Sequence, residues 1–272
     1  MTVDVSVIIP VFRAQDSLAR ALASVDQPDG VRVEIVLSID DGGDYSAFAA
    51  ADPRVRILSP TGGAGSGTGP GPARNRAVRA AKGAFLAYLD ADDAWAPDYL
   101  STLLPVARNE GCAFAPTRIE RPDGAPLLTV PGAGGGAARP ADRLMLADFS
   151  TWGASFHPVH AAGLPRGTDA GAFWDAPAQD VMHAVEVFMA CGLTAALVRE
   201  TAYCLRLGVS TVTTAADFSD RLTRAYAAYD LALAETWAQG LFAQKSALND
   251  RYQAERLPDE AFYAFVARVN AA

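Results

Sequence analysis

The segment AFLAYLDADD, residues 84–93, consists of six mostly apolar residues followed at once by three carboxylates. Such a short apolar run is typical of a buried strand, which would end where Asp90, Asp92 and Asp93 begin. Charged groups at that place cost desolvation energy unless a positive partner neutralises them. Carboxylates separated by one residue can share a divalent cation, and Mg²⁺ or Mn²⁺ readily combines carboxylate with phosphate oxygens. The segment therefore points to a diphosphate held through a metal ion.

Three further apolar runs precede this segment, with helical patterns between them. Strands that alternate with helices, each strand nearly continuously apolar, predict a parallel sheet covered on both faces. Ligands of such sheets bind beyond the carboxyl ends of the strands, where Pro10, Asp40 and Asp41 also lie. By itself, an acidic turn is more often a helix cap or a solvated loop. The other polar residues at neighbouring strand ends favour a ligand site here. The predicted strands are 3–11, 33–39, 55–58 and 84–89, and the predicted helices are 17–25, 73–82, 97–108 and 178–191.

Outside these elements, two segments are rich in glycine and proline and one is purely helical. We expect residues 59–72 to form either a flexible flap near the ligand or a plain spacer, and residues 121–142 to form a long mobile loop. Residues 217–272 predict helices only and carry eight acidic and six basic residues. Such a tail lacks the basic face of a membrane-surface helix. We expect it to pack back on the domain, with a homodimer contact as the alternative.

Composition limits the classes of partner. The chain has 272 residues and a formal net charge of −8, which argues against a surface that grips nucleic acid or anionic lipid. Its three cysteines form no CxxC pair, as expected of reduced thiols in a cytosol. No apolar run reaches the ~20 residues of a membrane span. We therefore expect a cytoplasmic protein without a transmembrane segment.

The order of three blocks carries a family resemblance: VSVIIPVF (5–12), EIVLSIDDGGD (34–44) and GPARNRAVRAAKGAFLAYLDADDAWAPDYL (71–100). Together they resemble the nucleotide-binding half of the family-2 glycosyltransferases. The resemblance implies the GT-A fold, an α/β fold with a Rossmann-like, mostly parallel sheet flanked by helices, here with a C-terminal helical extension. The expected organisation is a nucleotide-sugar-binding half over 1–105, an acceptor-side half of the same domain over 106–216, and the extension over 217–272.

The same resemblance implies roles for individual residues around the nucleotide. Pro10 and Phe12 would lie along the base, with Phe12 where the family often stacks a tyrosine on uracil. Asp41, together with Asp40, would recognise the base. Arg74 would line the nucleotide pocket, where a guanidinium can face phosphate.

The acidic segment and a downstream aspartate would carry the chemistry. The resemblance implies that Asp90 and Asp92 bind the ribose and the nucleotide, and that Asp92 and Asp93 hold the metal. Asp180 lies at the distance where the family places its catalytic base. It would take the proton of an acceptor hydroxyl, which attacks the anomeric carbon opposite the diphosphate and inverts the configuration. The preceding Gln179 replaces the family's usual glutamate.

These roles predict a metal-dependent, inverting glycosyltransferase that uses Mn²⁺ or Mg²⁺. The expected donor is a nucleotide sugar, most simply a UDP-sugar, and the acceptor hydroxyl belongs to a glycan, a lipid-linked saccharide or a small molecule. Gln179 keeps a second interpretation open, a non-catalytic homologue that only binds nucleotide sugars. A nucleotidyltransferase is disfavoured, because its glycine-rich loop would follow the first strand and none follows Pro10.

The remaining polar and aromatic candidates have plainer interpretations. His157 and His160 have zinc-like HxxH spacing but no suitable third ligand, so we expect no zinc site there. His183 lies one turn after Asp180, and we interpret it as a surface residue, with an acceptor contact as the alternative. Trp152 and Trp174 flank the acceptor region and either stack on a sugar or pack in the core.

Overall fold

The computed structural model describes residues 2–60, 67–132, 142–151, 156–164, 173–192, 194–208, 217–258 and 260–271. The strands are β1 (Val3–Val11), β2 (Val33–Ile39), β3 (Val55–Leu58), β4 (Gly83–Tyr88), β5 (Ala94–Trp95), β6 (Cys112–Phe114), β7 (Thr117–Glu120), β8 (Pro126–Val130), β9 (Arg143–Leu144), β10 (Val159–Ala161), β11 (Ala195–Leu197) and β12 (Tyr203–Arg206). The helices are α1 (Leu18–Ala23), α2 (Ser46–Ala51), α3 (Pro70–Ala80), α4 (Tyr99–Glu110), α5 (Leu146–Thr151), α6 (Gln179–Ala190), α7 (Phe218–Ala232), α8 (Leu241–Glu255) and α9 (Phe262–Ala271).

The main sheet has eight strands in the order β3-β2-β1-β4-β10-β6-β11-β9. Its first four strands are parallel, with Ile8 of β1 in register with Val36 of β2 and Tyr88 of β4. The strands predicted over 3–11, 33–39 and 55–58 are confirmed at these bounds, and the fourth begins one residue early, at Gly83. Because the four strands run the same way, their carboxyl ends meet at one edge of the sheet.

Both faces of these strands are buried, as nearly continuous apolar runs require. Val7 and Ile9 lie in a core that includes residues of α1 and α4. Ile8, whose side chain points to the opposite face, lies in a second core with Ala77 of α3. The predicted four-strand unit with helices on both sides is therefore confirmed.

The second half of the sheet mixes directions. β10 is antiparallel to both neighbours, β4 and β6, while β11 is parallel to β6 and antiparallel to β9. A separate four-stranded sheet, β5-β12-β7-β8, lies next to the acidic segment, because its first strand starts at Ala94, directly after Asp93.

The loop expected over 121–142 is wrong in its first half, where β8 pairs antiparallel with β7. A tight turn at Asp123 and Gly124 makes the hairpin. Gly124 has φ +88°, which glycine adopts at little cost, and the Arg121 N–H donates to the Ala125 carbonyl over 2.8 Å. The glycine-rich remainder, 133–141, lies outside the described residues. The same holds for residues 61–66 of the segment 59–72, which was expected to form a flap or a spacer.

The C-terminal helices pack on the second half of the domain. Tyr229 of α7 and Phe242 of α8 share a buried cluster with Phe188 of α6. This confirms that the tail packs back on the domain, while a homodimer through it stays a prediction. Within the described ranges, no helix combines the length and apolarity needed to cross a membrane.

The three histidines are all buried, so the interpretation of His183 as a surface residue is wrong. The Tyr88 hydroxyl lies 2.9 Å from His160 Nε2 and 3.4 Å from His183 Nε2, and Phe173 stacks on the His183 ring. The other ring nitrogen of His160, Nδ1, lies 2.8 Å from the Ala161 carbonyl oxygen. Helical periodicity puts His183 on the same helix as Asp180 but cannot show that β4 and β10 cover this face.

Burial lowers the pKa of all three histidines, that of His160 to about 4. The unfolded chain, with its histidines near pKa 6.5, therefore binds more protons than the folded chain below neutral pH. His160 contributes stability that is fully present above pH 6.5 and is lost as the pH falls towards 4. The loss from this residue amounts to about 2 kcal/mol by pH 5.

We predict that the unfolding free energies of the wild-type chain and a His160→Gln variant converge as the pH falls from 7 to 5. Because only the wild type carries the titrating imidazole, its unfolding free energy should fall by about 2 kcal/mol more than that of the variant between pH 7 and pH 5. Urea unfolding at several pH values measures both proteins, and comparing them cancels the titration of the carboxylates. A difference that stays constant over this range would contradict the prediction.

Candidate active site

The parallel order of β1, β2 and β4 brings their carboxyl ends together. Phe12 follows β1, Asp40 and Asp41 follow β2, and Asp90 lies two residues after β4. The strand ends expected to face one ligand are thus neighbours in the sheet, and each end places a different chemical group at the same edge.

Asp40 is buried and holds the chain in front of α3. Its carboxylate accepts hydrogen bonds from the Thr68 hydroxyl and, over 2.8 Å, from the Gly69 N–H, and it lies 3.6 Å from Arg76 Nη2. Both carboxylate oxygens therefore have protein partners. In this structure Asp40 positions the start of α3, which carries Arg74.

Asp41 organises the turn after β2 and remains partly exposed. Its Oδ2 accepts the Arg13 N–H over 2.5 Å and the Tyr45 hydroxyl over 2.9 Å, and its Oδ1 accepts the Gly43 N–H over 2.8 Å. Burial raises the pKa of Asp41, but these hydrogen bonds outweigh it, and the net pKa is lowered. Asp41 is thus an anion, and Oδ1, with one protein partner, can accept another hydrogen bond.

Phe12 is an exposed aromatic ring at the end of a buried strand. Its side chain is 51% exposed, the Arg13 guanidinium lies 5.0 Å from its centroid, and Gly67 approaches its far edge. Pro10 is half-buried within β1, in register with Ser38 of β2. An exposed ring beside Asp41 is a surface on which a flat base can stack.

Arg74 joins α3 to the acidic segment. Its Nη2 donates to Asp90 Oδ1, and the guanidinium lies 5.4 Å from the Phe173 ring centroid. Burial lowers the pKa of Arg74, but the charges of Asp90 and Asp180 more than offset this, and the pKa is raised. Within the described part of the chain, the buried Nε and Nη1 of Arg74 have no hydrogen-bond partner. Buried donors are rarely left so, which suits an anionic ligand at this place.

Asp93 has a structural function that the sequence does not reveal. It is buried, and it accepts the Tyr203 hydroxyl over 2.8 Å and the Arg206 N–H over 2.9 Å. The Tyr203 oxygen in turn accepts the Asp90 N–H over 3.0 Å. Burial raises the pKa of Asp93 well above its ordinary value. Asp93 therefore fastens the acidic segment to β12.

Asp92 points the other way, into solvent. The guanidinium of Arg20, on α1, donates to the Asp92 carbonyl oxygen and so holds the backbone of the segment. The surrounding protein and then the negative charge of Asp90 raise the pKa of Asp92. A cation beside Asp92 would relieve this repulsion.

The fit of a divalent metal depends on which of these carboxylates is available. Within the described ranges, no group of three or more His, Cys, Asp or Glu residues could hold a metal ion by itself. Both oxygens of Asp93 are engaged, whereas Asp92 faces solvent and Asp90 is 30% exposed with one oxygen on Arg74. One or two carboxylates completed by substrate phosphates are a usual Mg²⁺ site. Asp92 and Asp90 are the carboxylates more available to such a metal, because each oxygen of Asp93 already accepts a hydrogen bond; the metal role of Asp93 stays a prediction.

Asp180 comes from the second half of the chain. It lies in the first turn of α6, and its charge acts on Arg74. Gly71 lets α3 pack closely against the segment before α6: a Cβ atom there would lie 2.1 Å from the Trp174 carbonyl oxygen, which only glycine avoids. Asp180 and Asp90 thus both act on one guanidinium.

Gln179 is buried next to Asp180, and its Oε1 has no hydrogen-bond partner among the described residues. A glutamate here would bury a second negative charge beside Asp180.

Trp174 is 37% exposed and meets the Tyr229 ring edge-on, whereas Trp152 lies outside the described residues. Beside α6, Trp174 is thus partly accessible, whereas Gln179 Oε1 is buried.

Comparison with known proteins begins with the profile of Glycosyl transferase family 2, which matches residues 6–148. The succinoglycan biosynthesis protein ExoO of Rhizobium meliloti (strain 1021) is 34% identical over 120 residues, 43% of this chain and 33% of ExoO. The Escherichia coli protein WfgD, named UDP-Glc:alpha-D-GlcNAc-diphosphoundecaprenol beta-1,3-glucosyltransferase, is 27% identical over 113 residues, 40% of this chain and 43% of WfgD. The chain thus spans less than half the length of these relatives.

Solved structures share the fold. The S. aureus TarS fragment 1–349 in complex with UDP-GlcNAc has a TM-score of 0.62 at 16% identity, covering 97% of this chain and 79% of that one. The mannosyltransferase PcManGT from Pyrobaculum calidifontis, in complex with GDP-Man and Mn2+, has a TM-score of 0.54 at 19% identity, covering 100% and 80%. The expected mixed α/β fold of the GT-A type is confirmed. Because the profile also covers more than half of the chain, the protein belongs to glycosyl transferase family 2.

Proposed function

We propose that this protein transfers a sugar from a nucleotide-diphosphate donor to an acceptor hydroxyl with inversion of configuration and with a divalent metal. The observation that carries the proposal is Arg74, a buried guanidinium with two N–H-bearing nitrogens that have no partner among the described residues, next to Asp90 and close to Asp92. A diphosphate would satisfy both the orphaned donors and, through a cation, the crowded carboxylates.

The donor nucleotide would lie along the carboxyl ends of β1 and β2. Its base would stack on Phe12, and an imide N–H would reach Asp41 Oδ1. The name of WfgD specifies UDP-Glc, and TarS has been solved with UDP-GlcNAc, which supports a uridine nucleotide. PcManGT was solved with GDP-Man, so guanosine is the competing base in any test.

The metal would be held by Asp92 and the free oxygen of Asp90. When bound, a divalent cation neutralises negative charge that develops on the departing diphosphate. Arg74 would hold a phosphate oxygen with its Nε and Nη1 hydrogens. Asp93 keeps the segment in place through Tyr203 and is not among the ligands that we propose.

Asp180 would act as the general base. Its carboxylate would accept the proton of the acceptor hydroxyl while the oxygen attacks the anomeric carbon from the side opposite the diphosphate. The carbon–oxygen bond to the donor phosphate breaks as the new glycosidic bond forms, and the diphosphate leaves with the bonding electron pair. Because ExoO is named for succinoglycan biosynthesis, we place the reaction in polysaccharide biosynthesis.

A second candidate is a homologue that binds nucleotide sugars without transferring them, which Gln179 favours because the family usually has a glutamate there. The two differ in turnover. Incubation of the wild-type chain with Mn²⁺ and UDP-GlcNAc, UDP-Glc or GDP-Man releases free nucleotide slowly if the chain is an enzyme, even without an acceptor. A chain that binds a donor but releases none of these nucleotides is the non-catalytic homologue.

For the metal site, we predict that Asp92→Asn lowers Mn²⁺-dependent UDP affinity at least about tenfold, since it removes the exposed carboxylate. Isothermal titration calorimetry with and without Mn²⁺ measures this. Asp98→Asn is the matched control: it removes the same charge six residues later, at an exposed position with φ +60° that asparagine tolerates. Equal affinities of wild type and Asp92→Asn, or UDP binding that ignores Mn²⁺, would refute the metal site.

For the base platform, we predict that Phe12→Ala weakens UDP binding by roughly 5- to 160-fold, because stacking contributes ~1–3 kcal/mol per base. Pyrophosphate, which has no base, should bind both proteins equally in the presence of Mn²⁺. Phe12→Tyr keeps a ring and should retain UDP affinity. If Phe12→Ala binds UDP as the wild type does, the base does not lie on this ring.

For the catalytic base, we predict that Asp180→Asn retains UDP–Mn²⁺ affinity and loses roughly 10²- to 10⁴-fold in nucleotide release, because the amide cannot accept the proton. Asp220→Asn is the matched control. Asp220 is exposed in the first turn of α7, as Asp180 is in the first turn of α6, so it reproduces any effect of losing charge at a helix start. Wild-type turnover in Asp180→Asn would remove Asp180 from this role.

A further inference from the structure

Phe173 is a buried aromatic residue whose ring contacts the guanidinium of Arg74. The guanidinium carbon of Arg74 lies 5.4 Å from the ring centroid, and Phe173 is 5% exposed. The face of an aromatic ring attracts a cation electrostatically, and the attraction is strongest where water is excluded. The ring therefore stabilises the charge of Arg74 at the place where the proposed donor would bind.

This contact leaves hydrogen-bonding groups of Arg74 available. Nη2 donates to Asp90, whereas the buried Nε and Nη1 have no hydrogen-bond partner among the described residues. A polar side chain that held the guanidinium in place would accept one of these N–H groups. An aromatic face attracts the charge without accepting the N–H groups in the guanidinium plane. Phe173 can thus orient Arg74 and still leave two nitrogens for a ligand.

The backbone of Phe173 is held by Asn75, the neighbour of Arg74 on α3. Asn75 Nδ2 donates to the Phe173 carbonyl oxygen over 2.6 Å, and the Phe173 N–H donates to Asn75 Oδ1 over 2.9 Å. Gly71 lies one turn earlier on the same face of α3, where its missing side chain admits the Trp174 carbonyl oxygen. The helix that carries Arg74 therefore also fixes the chain that carries Phe173, 98 positions away from Asn75.

The ring of Phe173 also packs against α6 and β4. It stacks on the His183 ring, with centroids 4.1 Å apart and planes inclined by 19°, and it meets the Tyr88 ring edge-on at 5.1 Å. The Tyr88 hydroxyl in turn lies 2.9 Å from His160 Nε2 on β10. Neighbours from three elements thus keep the ring in one orientation, because buried side chains are closely packed.

We propose that Phe173 is a positioning residue for Arg74: its ring holds the guanidinium with Nε and Nη1 available to the donor phosphates. Asn75 and the stacked His183 fix the ring. This inference rests on the proposed function, in which Arg74 binds a phosphate oxygen. Affinity falls with the fraction of the protein whose binding group is correctly oriented, so loss of the ring would weaken phosphate binding without removing a phosphate contact.

The first test uses inorganic pyrophosphate with Mn²⁺, which reports on the phosphate site alone because it has neither base nor sugar. We expect Phe173→Leu to weaken its binding roughly two- to thirtyfold in isothermal titration calorimetry, the range of one cation–aromatic contact. Phe149→Leu is the matched control. It removes a fully buried ring from a different core cluster and should bind pyrophosphate as the wild type does.

The second test changes the electrons of the ring and nearly preserves its shape, so it does not depend on whether Phe173→Leu folds. Fluorine withdraws electron density from the ring face and weakens the attraction for a cation. We expect pyrophosphate affinity to fall in steps when 4-fluoro- and then 3,4,5-trifluorophenylalanine replace Phe173. The same replacements of Phe149 should leave the affinity unchanged. Equal affinities along the series at Phe173 overturn the proposal.

The outcomes separate the two proposals. A wild type that binds neither UDP nor pyrophosphate with Mn²⁺ contradicts the proposed function and, with it, the role of Phe173. A wild type that binds pyrophosphate no better than Phe173→Leu overturns the positioning role and leaves the proposed function standing. A merely structural Phe173 would lose affinity in Phe173→Leu, as Phe149→Leu then also would, but would not respond to fluorination. That result also overturns the proposal.

Discussion

The ion pair between the buried Arg74 and the partly exposed Asp90 is the interaction on which the site depends. It joins α3, the helix that follows β3, to the carboxyl end of β4. The charge of Asp180, from the second half of the chain, acts on the same guanidinium. Burying such a pair is costly unless its geometry is good and its remaining hydrogen-bonding groups are satisfied. Two nitrogens of Arg74 lack partners within the described part of the chain, and the diphosphate of the proposed donor would supply them.

The acidic segment divides its work among three aspartates. Asp90 holds Arg74, Asp93 ties the segment to β12 through Tyr203 and Arg206, and Asp92 alone is turned to solvent. This division explains how three carboxylates tolerate each other within four positions. Two have protein donors, and the third, Asp92, is the one that we propose as a ligand of the cation.

Sequence reasoning located the strand ends because each depends on local information. A buried parallel strand is a nearly continuous apolar run, and the residue after it lies at the sheet edge whatever follows in the chain. The acidic segment, Asp40 and Asp41 could therefore be assigned to one edge, whereas the roles of Phe12 and Arg74 came from the family resemblance. Asp180 needed the family resemblance, since nothing local distinguishes it from an aspartate that starts an ordinary helix.

The partners of these residues could not be predicted, because they are distant in sequence. Tyr203 lies 110 positions from Asp93, so the structural function of Asp93 is visible only after β12 is placed beside β5. His183 was misjudged for the same reason: the elements that bury it come from elsewhere in the chain. The 121–124 turn is different, because its Asp-Gly pair is a local hairpin signal. The glycine-rich composition of the whole segment led to the prediction of a loop instead.

In the function that we propose, the edge formed by Phe12, Arg74 and Asp92 binds a nucleotide diphosphate through a divalent cation. A crystal structure of the chain with UDP and Mn²⁺, with manganese located by its anomalous signal, tests it most directly. In this complex we expect manganese on Asp92, a phosphate oxygen on Arg74 Nε or Nη1, and the uracil on Phe12. Nucleotide bound elsewhere, or an Arg74 that still lacks a phosphate partner in the complex, would contradict it.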